Sequence, residues 1–346
     1  MVFGIGFPVD YERLHYQRGT IDTNARQTVF LPNASMGFRN VWKKSLRDIR
    51  LGLSFSQSRT SLLDRINFRD DSQPLIVKLG NPDLKPSAQT KFNVNYYDRT
   101  FPHQGQYNVS ASFNYHHREV AQSLTYNPIS GVYTYKPMNV SGAYNAHTNF
   151  GMNQTIGEKR YWSWHFDVGA DWNHSIDHAM LAGMNDSHEN IVNTLTLNSG
   201  GNIQFNKKTL NVRAVGSINW KDVQGEACFH VLDYNYGLEA RYTTPALWGT
   251  KMGGLTIAAD ASMYSRRGYG NSELNTDDFI VNASLSQPFV KGKIILRLEA
   301  FDIFHQLSNT HYQVNAQGRI ETWYRSLPHY VMLHLVYHWN NNPKKK

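Results

Sequence analysis

His174, His178, His188 and Glu189 fall within one short stretch, and three imidazoles with a carboxylate form a donor set that zinc or copper accepts. Their spacing matches no compact metal motif, and with 15 histidines in the chain chance clustering is the better account. His116 and His117 are adjacent, so in an extended strand they straddle both faces and cannot act together. Asp167, Asp171, Asp233, Glu239, Asp260 and Glu299 include pairs that would suit a hydrolase. A polar wall gives the same set without catalysis. The sequence has no nucleophile elbow, phosphate loop or metalloprotease motif, and the single Cys228 cannot form an internal disulfide. No catalytic residue, cofactor site or metal ligand is assigned, and the chain is not expected to be an enzyme. Aromatic residues remain as weak ligand candidates: Tyr133, Tyr135, Tyr269 and Trp323, with Tyr126 and Tyr324 beside them. They could stack on a sugar or a siderophore, or equally form an aromatic girdle at a membrane interface.

Strands must position all of these residues. Across 161–173 one face carries Trp162, Trp164, Phe166, Val168, Ala170 and Trp172, and the other carries Ser163, His165, Asp167, Gly169 and Asp171. Faces so unlike separate two different environments. The same period-2 alternation recurs around 49–56, 107–116, 210–220 and 233–242, while helical periodicity is hard to find. No run approaches the roughly 18–20 apolar residues of a membrane helix. The mean hydropathy of −0.52 agrees with strands that show one greasy face and one polar face.

A soluble sandwich also alternates. Two features oppose it here. The strands run to about 11–17 residues, against about 5–6 for globular strands and about 9–11 for a tilted membrane strand. Connections also alternate, short near 41–46, 101–105, 157–160, 206–208 and 288–292, and long near 18–27, 59–88, 127–135, 175–189 and 305–328. Only 245–254 is longer than this scheme prefers. Short periplasmic turns and long extracellular loops are the barrel pattern. The expected fold is therefore all-β, an antiparallel transmembrane β-barrel of the bacterial cell outer membrane with outer-membrane lipid as its surroundings. It has about fourteen strands, the first at 9–17 and the last at 329–339, in a single domain over 1–346. Arg213 and Glu239 should face each other on adjacent strands of the lumen wall.

The net charge is +8 and the isoelectric point about 9.3, but no Lys/Arg run occurs before 344–346, so nucleic acid is not an expected partner. The start, Met1 to Pro8, lacks the features of a signal peptide, and the chain reads as a fragment.

Two segments resemble the barrel of TonB-dependent receptors. Gly80-Asn81-Pro82-Asp83-Leu84-Lys85-Pro86 is similar to a segment these proteins carry just ahead of a barrel strand, with Ser87 where a Glu is usual. Ala300-Phe301-Asp302-Ile303-Phe304 and the closing stretch 324–340 resemble the end of their barrels, with His338 and Trp339 in place of Arg and Phe. Segments 127–131 and 137–142 fit the subgroup called the outer membrane β-barrel family. The resemblance covers the chain from about residue 30 onward. It implies a receptor of about 22 strands around an N-terminal plug, of which the plug and roughly the first eight strands are absent. It also implies import of a nutrient such as a siderophore or glycan, driven by an inner-membrane energy-coupling protein that acts only through the plug. The fragment alone is then expected to be an open or strained sheet. Other classes are a passive channel, a structural or adhesive surface barrel, and a degenerate remnant.

Overall fold

The computed structural model describes the chain apart from residues 19–20, 43–45, 101–104, 181–187, 226–227, 247–252, 271, 308–309, 316–317, 324–328 and 340–346. The side chains of 18, 21, 100, 179–180, 273, 310–315 and 318–323 are likewise outside the described set. The first strands are β1 (Val2–Gly6), β2 (Val9–Arg18), β3 (Ile21–Phe30), β4 (Asn33–Trp42) and β5 (Arg47–Ser58). A single helical turn, α1 (Leu62–Arg65), precedes β6 (Arg69–Gln73), β7 (Ile76–Leu79) and β8 (Ser87–Thr100). Next come β9 (Gly105–Asn127), β10 (Val132–Val140), β11 (Tyr144–Ile156), β12 (Trp162–Met180) and β13 (His188–Lys207). The remainder are β14 (Leu210–Gln224), β15 (Phe229–Thr243), β16 (Thr256–Arg267), β17 (Asp277–Phe289), β18 (Ile294–Phe301), β19 (Thr310–Asn315), β20 (Gly318–Trp323) and β21 (Tyr330–Tyr337).

Among the described residues seventeen strands share one sheet; β6, β7 and β10 form an extension at one rim, and the other fourteen run as an antiparallel meander from β1 to β21. From β11 through β15 register carries the alternation unbroken from strand to strand. One row reads Ala111, Thr148, Ala170, Leu197, Trp220 and Leu232 across β9 and β11–β15, all on one face. Its lumen counterpart, offset by one residue, reads Ser110, Asn149, Gly169, Asn198 and Asn219. The apolar face is widely accessible, with Trp162 49 %, Val168 40 % and Leu333 65 % exposed, so it is a surface meant for an apolar solvent and not a core. On β12, Trp162 and Trp172 bracket this face ten residues apart. At ~3.3 Å per residue and ~40° tilt they stand about 25 Å apart along the membrane normal, the height of an outer-membrane apolar band. Arg213 lies directly opposite Glu239, Nη1 to Oε1 3.4 Å, as the alternation requires.

Short hairpins close one rim, for instance between β11 and β12 and between β13 and β14, and longer connections gather at the other. By the barrel rule the long rim is extracellular. One reading of the sequence needs correction. The first sheet strand is β1, which pairs with β4, whereas 9–17 belongs to β2, which among the described residues pairs only with β3, in a separate hairpin. Alternation is present in both segments, but Val9–Arg18 carries charge on each face, with Arg13 on one and Asp10 and Glu12 on the other. It therefore has no side that hydrocarbon tolerates. Residues 21–27, taken as loop, are strand for the same reason in reverse: the hairpin's polar faces are at home in water.

Among the described residues no ladder joins β1 to β21, so the sheet is not closed. The buried apolar cluster is small and sits at the long rim, where Ala121, Val140 and Ile176 meet beside Met138. Here β9 and β12 overrun the membrane band, and β10 folds back on the upper half of β9.

Candidate functional site

The motif 80–86 proves to be a clasp at the long rim. Gly80 comes so near the preceding chain that an added Cβ would stand 1.7 Å from the Ile66 carbonyl oxygen, and its amide donates to the Phe68 carbonyl, 3.2 Å. The Asn81 amide then donates to the Asp64 carbonyl, 2.7 Å, while its side-chain Nδ2 donates to the Pro137 carbonyl, 2.9 Å. One residue thus ties the connection that contains α1 to β10. Asn139 locks the same junction from the other side: its Oδ1 accepts from the Lys85 amide, 2.8 Å, and its Nδ2 donates to the Lys85 carbonyl, 3.1 Å. Leu84 is 2 % exposed and plugs the seam. The segments 80–86 and 137–142, far apart in sequence, are two halves of one joint. Segment 127–131 is the turn from β9 to β10, with Asn127 Oδ1 accepting from the amides of Ile129 and Ser130 and Gly131 at φ +68°.

Between the joined walls lies a cleft of about 540 Å³, within the ~300–1,000 Å³ of small-molecule sites. Leu63, Phe68, Ile76, Leu79 and Pro137 give it an apolar lining, and Tyr135 adds an aromatic with a hydroxyl. Asp64, Gln73, Lys78 and Gln122 supply the polar groups. Backbone pairing sets their order: Lys78 lies beside Tyr135 in the parallel β7–β10 ladder, and Gln122 opposite Pro137 in β9–β10. Tyr16 of the β2–β3 hairpin packs its ring 5.8 Å from that of Phe68, and Gln27 of the same hairpin accepts from Arg65 Nη1, 2.5 Å. Burial pushes the Asp64 carboxyl above the ordinary carboxylate range. Among the described residues, the side chains of Asp64, Gln73, Lys78 and Gln122 have no hydrogen-bond or ion-pair partner.

Of the aromatic candidates, Tyr135 lines the cleft and Tyr133 stands beside it on β10, its ring 4.7 Å from Tyr126. Trp323 ends β20, and its side chain lies outside the described residues, as does Tyr324. Tyr269 is committed elsewhere. Its hydroxyl donates to the Asp233 carboxylate, 3.0 and 3.1 Å, and its backbone is held by the Asn275 amide on both sides, pinning the β16–β17 connection to β15. Burial, with Asp233 adding to it, pushes this phenol up to about 12. A raised folded pKa means that the stabilisation is intact below the unfolded value, about 10, and is lost as pH climbs through about 12. With ring-labelled tyrosine, the resonance that disappears in Tyr269→Phe is expected to titrate near 12; titration near 10 would show the contact is not held.

His174 stacks on Tyr144, ring centroids 4.7 Å apart, and shares a 2.7 Å hydrogen bond with Asn193, while His178 Nε2 lies 3.9 Å from Glu189. These residues are dispersed along β12 and β13 and do not converge on a point. His116 and His117 part as expected, His116 toward Asn145 and His117 toward Phe55 and Tyr115. The lumen carboxylates pair locally: Asp171 with His147 at 2.5 Å, Asp167 with His165 at 3.1 Å, Glu299 with His334 at 2.9 Å. Asp302, in the segment likened to receptor barrel ends, is fully buried, and its carboxylate accepts from the amides of Gln306 and Leu307 at 3.0 and 2.9 Å. It turns the chain out of β18.

A curved antiparallel sheet with one lipid-compatible face, one polar face and loops gathered at a single rim defines a transmembrane β-barrel wall. The chain belongs to the outer membrane protein beta-barrel family, whose profile matches residues 15–337, and it is placed in the bacterial outer membrane. A comparison with curated proteins finds no match.

Proposed function

We propose that this chain is the C-terminal barrel portion of a TonB-dependent receptor that imports a nutrient ligand across the outer membrane. The observation that carries the reading is the joint of segments 80–86 and 137–142 at the long rim, where Asn81 holds together the walls of an outward cleft. A passive pore has no need of such a built recess. The edges of β1 and β21, which have no second ladder among the described residues, support the same reading, because backbone groups left open in hydrocarbon cost several kcal/mol each and call for further strands. In this reading those strands and a plug complete the receptor. The plug alone meets the inner-membrane energy-coupling protein. No catalytic step is assigned to the chain.

Planar-bilayer recording on the refolded chain tests this. No stable, uniform conductance is expected, since the sheet's tilt and shear belong to a wider circumference. Uniform long-lived channels would promote a passive channel and remove the receptor reading.

A further inference from the structure

We propose that the rim cleft between α1, β7 and β10 binds a neutral saccharide, stacked on its aromatic side chains and hydrogen-bonded by Asp64, Gln73, Gln122 and Lys78. The biological purpose of this site rests on the receptor reading above; the binding itself belongs to the chain. Three observations support it. First, a half-buried carboxyl and three other polar side chains converge on one recess without a partner among the described residues. Asp64, partly withdrawn from water and without a protein partner, leaves an acceptor open to a ligand, and the exposed side chains of Gln73, Lys78 and Gln122 stand at the same recess.

Second, the chemistry is two-sided. Phe68 and Tyr135 provide rings, and Leu63, Ile76, Leu79 and Pro137 extend the apolar surface. The two amides each offer a donor and an acceptor, Asp64 accepts, and Lys78 donates. Sugar rings have this duality: an apolar C–H face that lies on an aromatic ring, and a rim of hydroxyls that both give and take hydrogen bonds.

Third, the charge excludes the main rival. One carboxylate and one ammonium leave the cleft without net charge, so an anionic metal chelate finds no attractive field there. An added peptide strand is not favoured either, because β6, outermost in the extension, carries Arg69, Asp70 and Asp71 along its length.

The test uses the full chain in detergent against an immobilised array of neutral glucan, xylan, mannan and galactan oligosaccharides, followed by calorimetry on any hit. Ferric enterobactin serves as the anionic chelate probe. At least one neutral glycan should bind, Tyr135→Ala should weaken it about tenfold, and Asp64→Asn should weaken it measurably. Heat-modifiable migration of both variants, unchanged from the parent, confirms the sheet is intact, and Tyr269→Phe should bind as the parent does. Absence of any neutral hit, binding indifferent to both cleft variants, or cleft-dependent binding of the chelate overturns the proposal. Growth of cells on the bound glycan, with and without the inner-membrane energy-coupling protein, reads the receptor assignment separately. Cleft binding that persists while uptake ignores energy coupling sinks only the receptor reading; energised uptake without cleft binding sinks only the saccharide site.

Discussion

Val168→Arg should prevent the chain from assembling in a bilayer, while Asp167→Arg, one residue away, should assemble almost as the parent does. Val168 sits on the lipid face of β12, six residues from Trp162 and four from Trp172, and so lies near the middle of the apolar band. An arginine at this depth costs about 2–4 kcal/mol, and snorkelling gives little relief because neither interface is close. The cost falls on a strand whose long ladders to β11 and β13 hold the middle of the sheet. Asp167 faces the polar lumen, where it meets His165 Nε2 at 3.1 Å and lies across from Gly151 and Gly200, which leave room for a longer side chain. Losing one accessible His–Asp contact is worth about 0–1 kcal/mol. Folding into lipid vesicles, read as the heat-modifiable band on cold electrophoresis, should separate the two variants clearly. Equal yields would mean that the tryptophan face does not meet lipid.

The contrast between those neighbours is also why the wall was legible in the sequence. A period of two, repeated over strands of ten to twenty residues, fixes which side chain faces which environment, and a slip of one residue would put Asp167 into lipid. Arg213 opposite Glu239 follows from the same arithmetic. The arithmetic fails where both faces meet water. Residues 9–17 alternate as well as any membrane strand, and only their charges on both faces show that they form a hairpin outside the band.

The cleft was still less visible. Asp64, Phe68, Gln73 and Lys78 lie in a connection without period, and Gln122 lies on the overrun of β9, so nothing in their spacing brings them together. What gathers them is Asn81, through a backbone bond to one wall and a side-chain bond to the other. The motif and the turn at 127–131 could be recognised as likenesses, but that Asn139 meets Lys85, 54 residues away, follows from strand pairing that no local pattern encodes. The hydrogen bond of Tyr269 was hidden for a related reason: its Asp233 partner lies 36 residues away on another strand.

Gly80→Val is accordingly expected to dismantle the cleft while sparing the barrel wall. A Cβ at this position meets the Ile66 carbonyl oxygen at 1.7 Å and its carbon at 2.9 Å, and both belong to backbone that no rotamer change can clear. Overpacking costs about 1–3 kcal/mol when side chains can yield, and more when the main chain must move. The cheapest response is to part Gly80 from Phe68, which pulls Asn81 away from Asp64 and Pro137 and opens both walls. The ladders from β5 to β8 and onward are untouched, so assembly should persist. Trypsin offers the readout, because Arg59, Arg65, Arg69 and Lys78 all fall in the released connection. The folded parent should resist cleavage there and the variant should be cut, with the heat-modifiable band retained and glycan binding lost. Gly131→Ala is the matched control: its turn demands φ +68°, costing about 1–2 kcal/mol in strain, yet its nearest neighbour is 3.8 Å away. It should leave the trypsin pattern of 59–86 and the cleft unchanged. A Gly80→Val chain that resists trypsin and binds glycan like the parent would show that the motif does not hold the cleft.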